Sequence, residues 1–516
     1  MKKILACVLV MTLLFTGCSL VNGQKIDGTQ IKLSDDKITV DGKKVTNDTT
    51  QAVYTANDIV FYLAGQDFTY GEGTKEDEHE QAEADAHTVV HITKPGRYVL
   101  SGELSKGQIA VDLGEDAEEN PEAVVTLILN GVDITCTVAP AVIFYNVYEC
   151  GVADEETATK DVDTSKAGAN VIVADGTENN INGSYVAKIY KSIELNEDGT
   201  EVVDSKKLHK YDAAFYSKKT MNVDGGEKGD GVLNIKAENE GLDSELHLTV
   251  NGGNINITSG NDGINTNEDN VSVTTVNGGN LNIICNGSTG EGDGIDSNGW
   301  LVINGGTVIS QACATSGDAG IDSDLGIYIN GGSVIASGNM LDRIAGGEQT
   351  YAVFNFASRQ VGDSTYTLKN ADNKVVGEYA PTNDFTYLLI AGDELVAGDY
   401  TFWQGDTQLS ASSTGGMNMG GEQPQMPEDM TNADGTAPED FENMIRPEKG
   451  ENMTRPEMPE GEIPEGMENM TRPDNMGGMG KPNGFMANGE ASTTFTIVEG
   501  GNQFSNVGPV ATTVTE

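Results

Sequence analysis

The chain has 516 residues and a formal net charge of −49, from 80 acidic and 31 basic side chains. A polyanion of this kind is excluded from electrostatic recognition of nucleic acid or of an anionic membrane surface, which leaves a solvated surface, a cation-loaded site or a neutral ligand. The 64 glycines against 14 prolines follow a period, which points to repetitive turns and away from collagen or linker.

Lys2 and Lys3 precede an apolar run from Ile4 to Phe15. The run is too short to span a bilayer and suits the core of a signal peptide. It ends in Phe15-Thr16-Gly17-Cys18, which resembles a bacterial lipobox, with Phe15 where Leu is usual. The expectation is a signal peptide over 1–17 and lipid on Cys18. The chain is then exported, anchored to the outer face of the cytoplasmic membrane at the cell surface, and touches the membrane through that lipid only. An ordinary signal peptide with a chance cysteine is the alternative.

Residues 18–87 read as a tether and first strands, with Ile38-Thr39-Val40 and Ile59 to Leu63 strand-like and the acidic run from Glu72 to Asp85 a solvated loop. From 88 to 344 short strands alternate with Gly, Asn and Asp turns. Asn-Gly-Gly recurs at Asn251, Asn277, Asn304 and Asn330, spaced 26, 27 and 26, and Asp224-Gly225-Gly226 extends the series 27 residues upstream. A second marker recurs in fixed order with it: Gly241-Leu242-Asp243-Ser244, Gly263-Ile264-Asn265-Thr266, Gly294-Ile295-Asp296-Ser297 and Gly320-Ile321-Asp322-Ser323, with Phe215-Tyr216-Ser217 in the same place one copy earlier. The strands between markers alternate at period two, so one face points inward. A unit of about 26 residues with two or three strands buries no core alone, but stacked copies do. Ile255, Leu281, Val308 and Val334 are predicted to form one internal column. The fold class is all-β, a parallel β-helix. The segments 151–169 and 186–210 read as loops between coils.

Residues 345–412 carry ordinary antiparallel strands, at Tyr351 to Phe356, Thr365 to Leu368, Tyr387 to Ile390 and Tyr400 to Trp403, with Trp403 assigned to their core. Residues 413–490 hold 12 of the 16 methionines and 9 of the prolines, and repeat Glu-Asn-Met-x-Arg-Pro at Glu442, Glu451 and Glu468. That composition offers too little apolar branching for a core and reads as a disordered insertion. The strand Thr493 to Val498 closes a small C-terminal β unit, 345–412 plus 491–516, which caps the coil stack.

The set Pro95-Gly96-Arg97-Tyr98-Val99-Leu100-Ser101-Gly102, Gln108 to Val111, Leu127 to Ile134 and Ala213 to Lys218, with the Gly-Ile-Asp-Ser and Asn-Gly-Gly coils, resembles an exported carbohydrate-binding β-helix family. That family was long known only as a domain of unknown function and is common in anaerobic Gram-positive bacteria. The resemblance covers roughly residues 38–412 and the final strand. It implies a right-handed parallel β-helix similar to the pectate-lyase fold, bound calcium, and binding of cellulosic or pectic cell-wall polysaccharide.

The residues themselves point to one chemistry and away from others. Asp243, Asn265, Asp296 and Asp322 share one place in four coils, and Asp262, Asp293 and Asp318 lie just upstream. Coils stack about 4.8 Å apart, so these oxygens repel unless neutralised, and hard oxygen ligands select Ca²⁺. Local capping of turns is the other reading. Trp300 and Tyr328 are candidates for stacking on sugar rings. A lyase needs a base, and Lys218 and Lys219 are the best placed, although solvated turn lysines are much the better explanation of them. Between 231 and 345 the cationic side chains are Lys236 and Arg343 against 14 acids. His87, His91, His209 and His247 form no motif, and no nucleophile, phosphate-loop or zinc motif is present. The expectation is therefore a calcium-linked, non-catalytic polysaccharide-binding protein. A calcium-dependent lyase or hydrolase on the same frame is one alternative. A structural or adhesive protein whose insertion 413–490 reaches a protein partner is the other. Cys285 and Cys313 occupy nearly matching places, as a disulfide or as buried thiols.

Overall fold

Successive turns of chain lie parallel on one another because each coil presents the same alternation of inward apolar and outward polar side chains. In the computed structural model, residues 20–21, 24–151, 153–413 and 491–509 are described. The chain divides into two units, 1–419 with 487–516, and 420–486, and every described residue belongs to the first. The lipobox with Cys18 and the Met-rich stretch 414–490 lie outside the described residues.

Three parallel ladders run along the stack. One joins Gly96–Leu104, Val125–Thr135, Ala169–Val173, Met221–Asp224, His247–Val250, Val273–Val276, Trp300–Ile303 and Gly326–Ile329. A second joins Glu178–Gly183, Val232–Ala237, Asn254–Ser259, Asn280–Cys285, Thr307–Gln311 and Ser333–Gly338. The third joins Thr88–Ile92, Gly107–Asp112, Val142–Asn146, Ala213–Ser217, Glu240–Ser244 and Ile264–Thr266. The architecture is all-β, rich in parallel sheet and compatible with a β-helix. The registers Ile255↔Leu281, Leu281↔Val308 and Val308↔Val334 reproduce the expected column, each side chain at most 1% exposed.

The glycine of the second marker has a steric cause. A Cβ on Gly263 would lie 2.6 Å from the carbonyl oxygen of Gly294, and one on Gly294 2.3 Å from that of Gly320. These glycines let one coil rest on the backbone of the next. Gly294→Ala should therefore lose about 1–3 kcal/mol, read as the chemical-denaturation midpoint at unchanged slope. A loss under about 0.5 kcal/mol, the scatter of a neutral surface change, would contradict this close approach.

Both ends of the stack are covered. At the first, Val53–Ala56 pairs antiparallel with Thr88–Ile92. At the last, Ser333–Gly338 pairs antiparallel with Phe385–Ala391, which continues to Tyr351–Gln360. The closing strand Phe495–Ile497 pairs with Gly398–Gln404. A further strand, Gly501–Pro509, lies parallel to Tyr351–Gln360. No helix among the described residues is long and apolar enough to cross a membrane.

Several expectations need correction. Segment 186–210 is no loop: Val186–Leu195 and Val202–Tyr211 form an antiparallel hairpin. The acidic run is not merely solvated. Glu72 pairs with Lys188 at 2.9 Å, Asp77 accepts a hydrogen bond from Tyr185, and Glu83, on the short helix Gln81–Ala84, accepts one from Thr137 at 3.0 Å. Ile59 to Leu63 forms no strand beyond an isolated bridge from Leu63 to His79, and its burial rests on single side chains such as Ile59 and Tyr62. Trp403 is half-exposed with the Lys369 ammonium 4.7 Å from its ring centroid, and its neighbour Phe402 fills the core. Cys136, Cys150, Cys285 and Cys313 are all free thiols.

Candidate functional site

The third ladder sets the predicted acids in a column. Tyr216 pairs with Asp243 and Asp243 with Asn265, while the Ile264–Ile295 bridge brings Asp296 next. The amide of Asp322 donates to the Ile295 carbonyl at 2.7 Å, which continues the row. A second row stands beside it. The Glu240 amide donates to the Asp212 carbonyl, that of Gly241 to Asp262, and that of Gly263 to Asp293, all at 3.0–3.1 Å.

The rows converge where Asp212, Glu240 and Asp243 each offer a carboxylate oxygen within 4.8 Å of the others, all three buried. Lys210, at the end of the hairpin, reaches Asp212 at 3.0 Å. Asn265 donates to Glu240 at 3.2 Å, and Asn267 donates to both oxygens of Asp243 at 2.9 and 3.0 Å. Glu240 Oε2 and Asn265 Oδ1 remain buried without a hydrogen-bond partner among the described residues. Burial pushes the carboxyls of Glu240, Asp243 and Asp262 well above their usual range, and the neighbouring acids push the same way. Burial also raises Asp212, against the pull of Lys210. Asp293 is pushed up to about 10, first by burial and then by Asp262. Buried carboxyls with shared repulsion and idle oxygens hold either protons or a cation. The all-oxygen donor set fits a hard divalent ion.

Some predicted ligands also do local work. Asp262 accepts the Asp293 amide at 2.7 Å and Asp293 accepts the Ala319 amide at 2.5 Å. Asp318 departs from the row. It accepts the Gly292 amide at 2.6 Å and the Ser316 hydroxyl, since Ala319, not Asp318, stands directly before the marker glycine. Sequence reasoning missed Asp212, Glu240 and Lys210. The signal for Glu240 was present, since Glu240, Asp262 and Asp293 each immediately precede the marker glycine; Asp212 precedes Ala213, the register partner of Glu240, and so falls outside that spacing.

Lys219 is tied to Glu118 at 2.7 Å and Lys218 is exposed, so neither reaches these acids in the contacts seen. Lys210 is the amine at the cluster, and Asp212 raises its pKa and keeps it protonated. Trp300 and Tyr328 lie on the outward face of the first ladder. Val302 pairs with Tyr328, and Trp300 stands two residues from Val302 on the same side.

Stacked parallel coils closed by antiparallel strands define an all-β, parallel-rich class of protein. The chain belongs to the carbohydrate-binding domain-containing family, whose model matches residues 86–379, as the sequence resemblance led one to expect. A curated relative of that description from Acetivibrio thermocellus is 28% identical over 257 residues, which is 50% of this chain and 64% of the relative. The chain therefore spans a little under two thirds of that relative's length. A solved structure described as a polysaccharide lyase-like protein from C. thermocellum, in a gadolinium derivative, is 20% identical with a TM-score of 0.32, over 62% of this chain and 99% of that one.

Proposed function

We propose that this chain is a non-catalytic binding protein for cell-wall polysaccharide, cellulosic or pectic. In this reading it is a right-handed parallel β-helix, held at the bacterial surface by lipid on Cys18. Calcium is seated at Asp212, Glu240 and Asp243, with Asn265, Asp262, Asp293, Asp296 and Asp322 continuing the acid rows. Membership of the family supports the polysaccharide. The observation that carries calcium is the buried carboxylate trio within 4.8 Å, with idle oxygens on Glu240 and Asn265. When bound, the cation supplies positive charge in addition to the Lys210 ammonium that pairs with Asp212. Asp243, Glu240 and Asp212 hold it, and Asn267 orients Asp243.

A lyase on the same frame needs an unprotonated base beside the cation. The amine there, Lys210, is engaged in an ion pair with Asp212 at 3.0 Å, which favours binding over cleavage. The test is retention of the purified protein on a panel including cellulose and polygalacturonate, with calcium and then with EGTA. Retention that falls in EGTA with no soluble sugar released is expected. Unsaturated products would make the protein a lyase, and new reducing ends a hydrolase. Absence of retention on every glycan would move the weight to an adhesive role through 413–490.

A further inference from the structure

We propose that a neutral glycan segment is seated in the groove between the strap 160–165 and the outward face of the first ladder, away from the acid rows. This rests on the polysaccharide-binding reading and names the place and the chemical class of the ligand.

The groove has a volume of about 510 Å³, and its floor includes Asn222, Thr249, Thr275 and Val302. The strap is fastened over it. Thr164 shares a hydroxyl hydrogen bond of 2.8 Å with Thr249, and its carbonyl accepts from Asn222 at 2.8 Å. At the far end the Lys160 ammonium stands 5.3 Å from the centroid of the Tyr328 ring. The lip is an asparagine ladder. Asn277 donates to Asn251, Asn304 to Asn277 and Asn330 to Asn304, at 2.8–2.9 Å.

The inner rungs, Asn277 and Asn304, each use one N–H and one lone pair on their neighbours, so each keeps a spare donor and a spare acceptor for a ligand. The rungs repeat with the coil spacing of about 4.8 Å. That is a periodic row of paired donors and acceptors, suited to a hydroxyl-rich polymer lying along the stack. Asn222, 4% exposed, fastens the strap to the floor by donating to the Thr164 carbonyl and to Asn170 Oδ1.

Charge selects the class. The floor is uncharged. On the strap, Lys160 pairs with Asp161 at 2.7 Å, and Asp163 accepts the Ser165 amide at 3.0 Å. The lining therefore carries one net negative charge, from Asp161 and Asp163 against Lys160, which disfavours uronate or sulfate and leaves an uncharged chain. Val302 gives the floor an apolar patch, and Tyr328, its register partner beneath Lys160, adds an aromatic edge at the far end.

The test titrates the full purified protein, in calcium, with a soluble cello-oligosaccharide and with oligogalacturonate. Thr275→Arg fills the groove from an outward, half-buried position. Asn304→Ala removes an exposed rung and leaves the core alone. We expect the parent to bind the neutral oligosaccharide, Thr275→Arg to weaken it at least tenfold and Asn304→Ala severalfold, with the calcium-induced rise in melting temperature unchanged in both. Parent-like affinity in Asn304→Ala and in a folded Thr275→Arg overturns the groove while leaving polysaccharide binding intact. Binding of oligogalacturonate alone does the same. Should Thr275→Arg misfold, Asn304→Ala with Tyr328→Ala decides. Failure of the parent to bind any glycan fells the polysaccharide reading itself and the groove with it.

Discussion

In EGTA at pH 8, Glu240→Gln melts higher than the parent; in saturating calcium the order reverses. Both halves come from one geometry. Without a cation, Glu240, Asp212 and Asp243 crowd their carboxyls within 4.8 Å in a buried site. Replacing one by a neutral amide removes repulsion and a desolvation cost. With calcium, the same change deletes a charged ligand. An ion at a thousand times its dissociation constant adds about 4 kcal/mol to stability, most of which the variant forfeits. Equal melting temperatures of the parent in calcium and EGTA would remove calcium from the site.

The pH dependence has a matching sign. The buried acids have folded-state pKa values above their unfolded ones, Asp293 at about 10. The folded state therefore binds more protons than the unfolded chain, and stability falls as pH rises from the unfolded carboxylate range, near 4, toward the raised values. In EGTA the parent should be more stable at pH 5 than at pH 8. Calcium competes with those protons, so its stabilising effect should grow over the same interval.

Leu281→Ala is expected to cost about 2–5 kcal/mol, the second large effect. Leu281 is 1% exposed and sits between Ile255 and Val308 in the internal column. Neighbouring coils cannot close the gap without breaking the parallel registers on both sides, so a cavity remains. Denaturant unfolding followed by circular dichroism reads the loss. A cost below about 1 kcal/mol would mean that the column is not a packed core.

How much of this was legible depends on what repeats. The Asn-Gly-Gly and Gly-Ile-Asp-Ser markers exposed the coil spacing, the inward column and the row through Asp243, Asn265, Asp296 and Asp322, because every copy carries the same local instruction. The second acid row was legible at Asp262 and Asp293; Glu240 holds the same place before Gly241, and Asp318 stands one residue ahead of that place. Features without repetition stayed hidden. The hairpin 186–211 is polar on both faces, so its alternation buries little and gives a weak pattern. The strand Gly501–Pro509 is defined by pairing with Tyr351–Gln360, far away in the chain, which no local pattern encodes. Trp403 and Phe402 are adjacent aromatics, and period-two alternation admits one of them to the core.

The most direct test of calcium-linked glycan binding is a calorimetric calcium titration of the purified protein, alone and with a saturating glycan that it retains. Linkage requires that a cation which tightens glycan binding be itself bound more tightly in the glycan's presence, by the same factor. Calcium binding is expected in both titrations, tighter with glycan, and lost or strongly weakened in Asp243→Asn. Calcium affinity that is unmoved by glycan, with glycan affinity unmoved by EGTA, would contradict it.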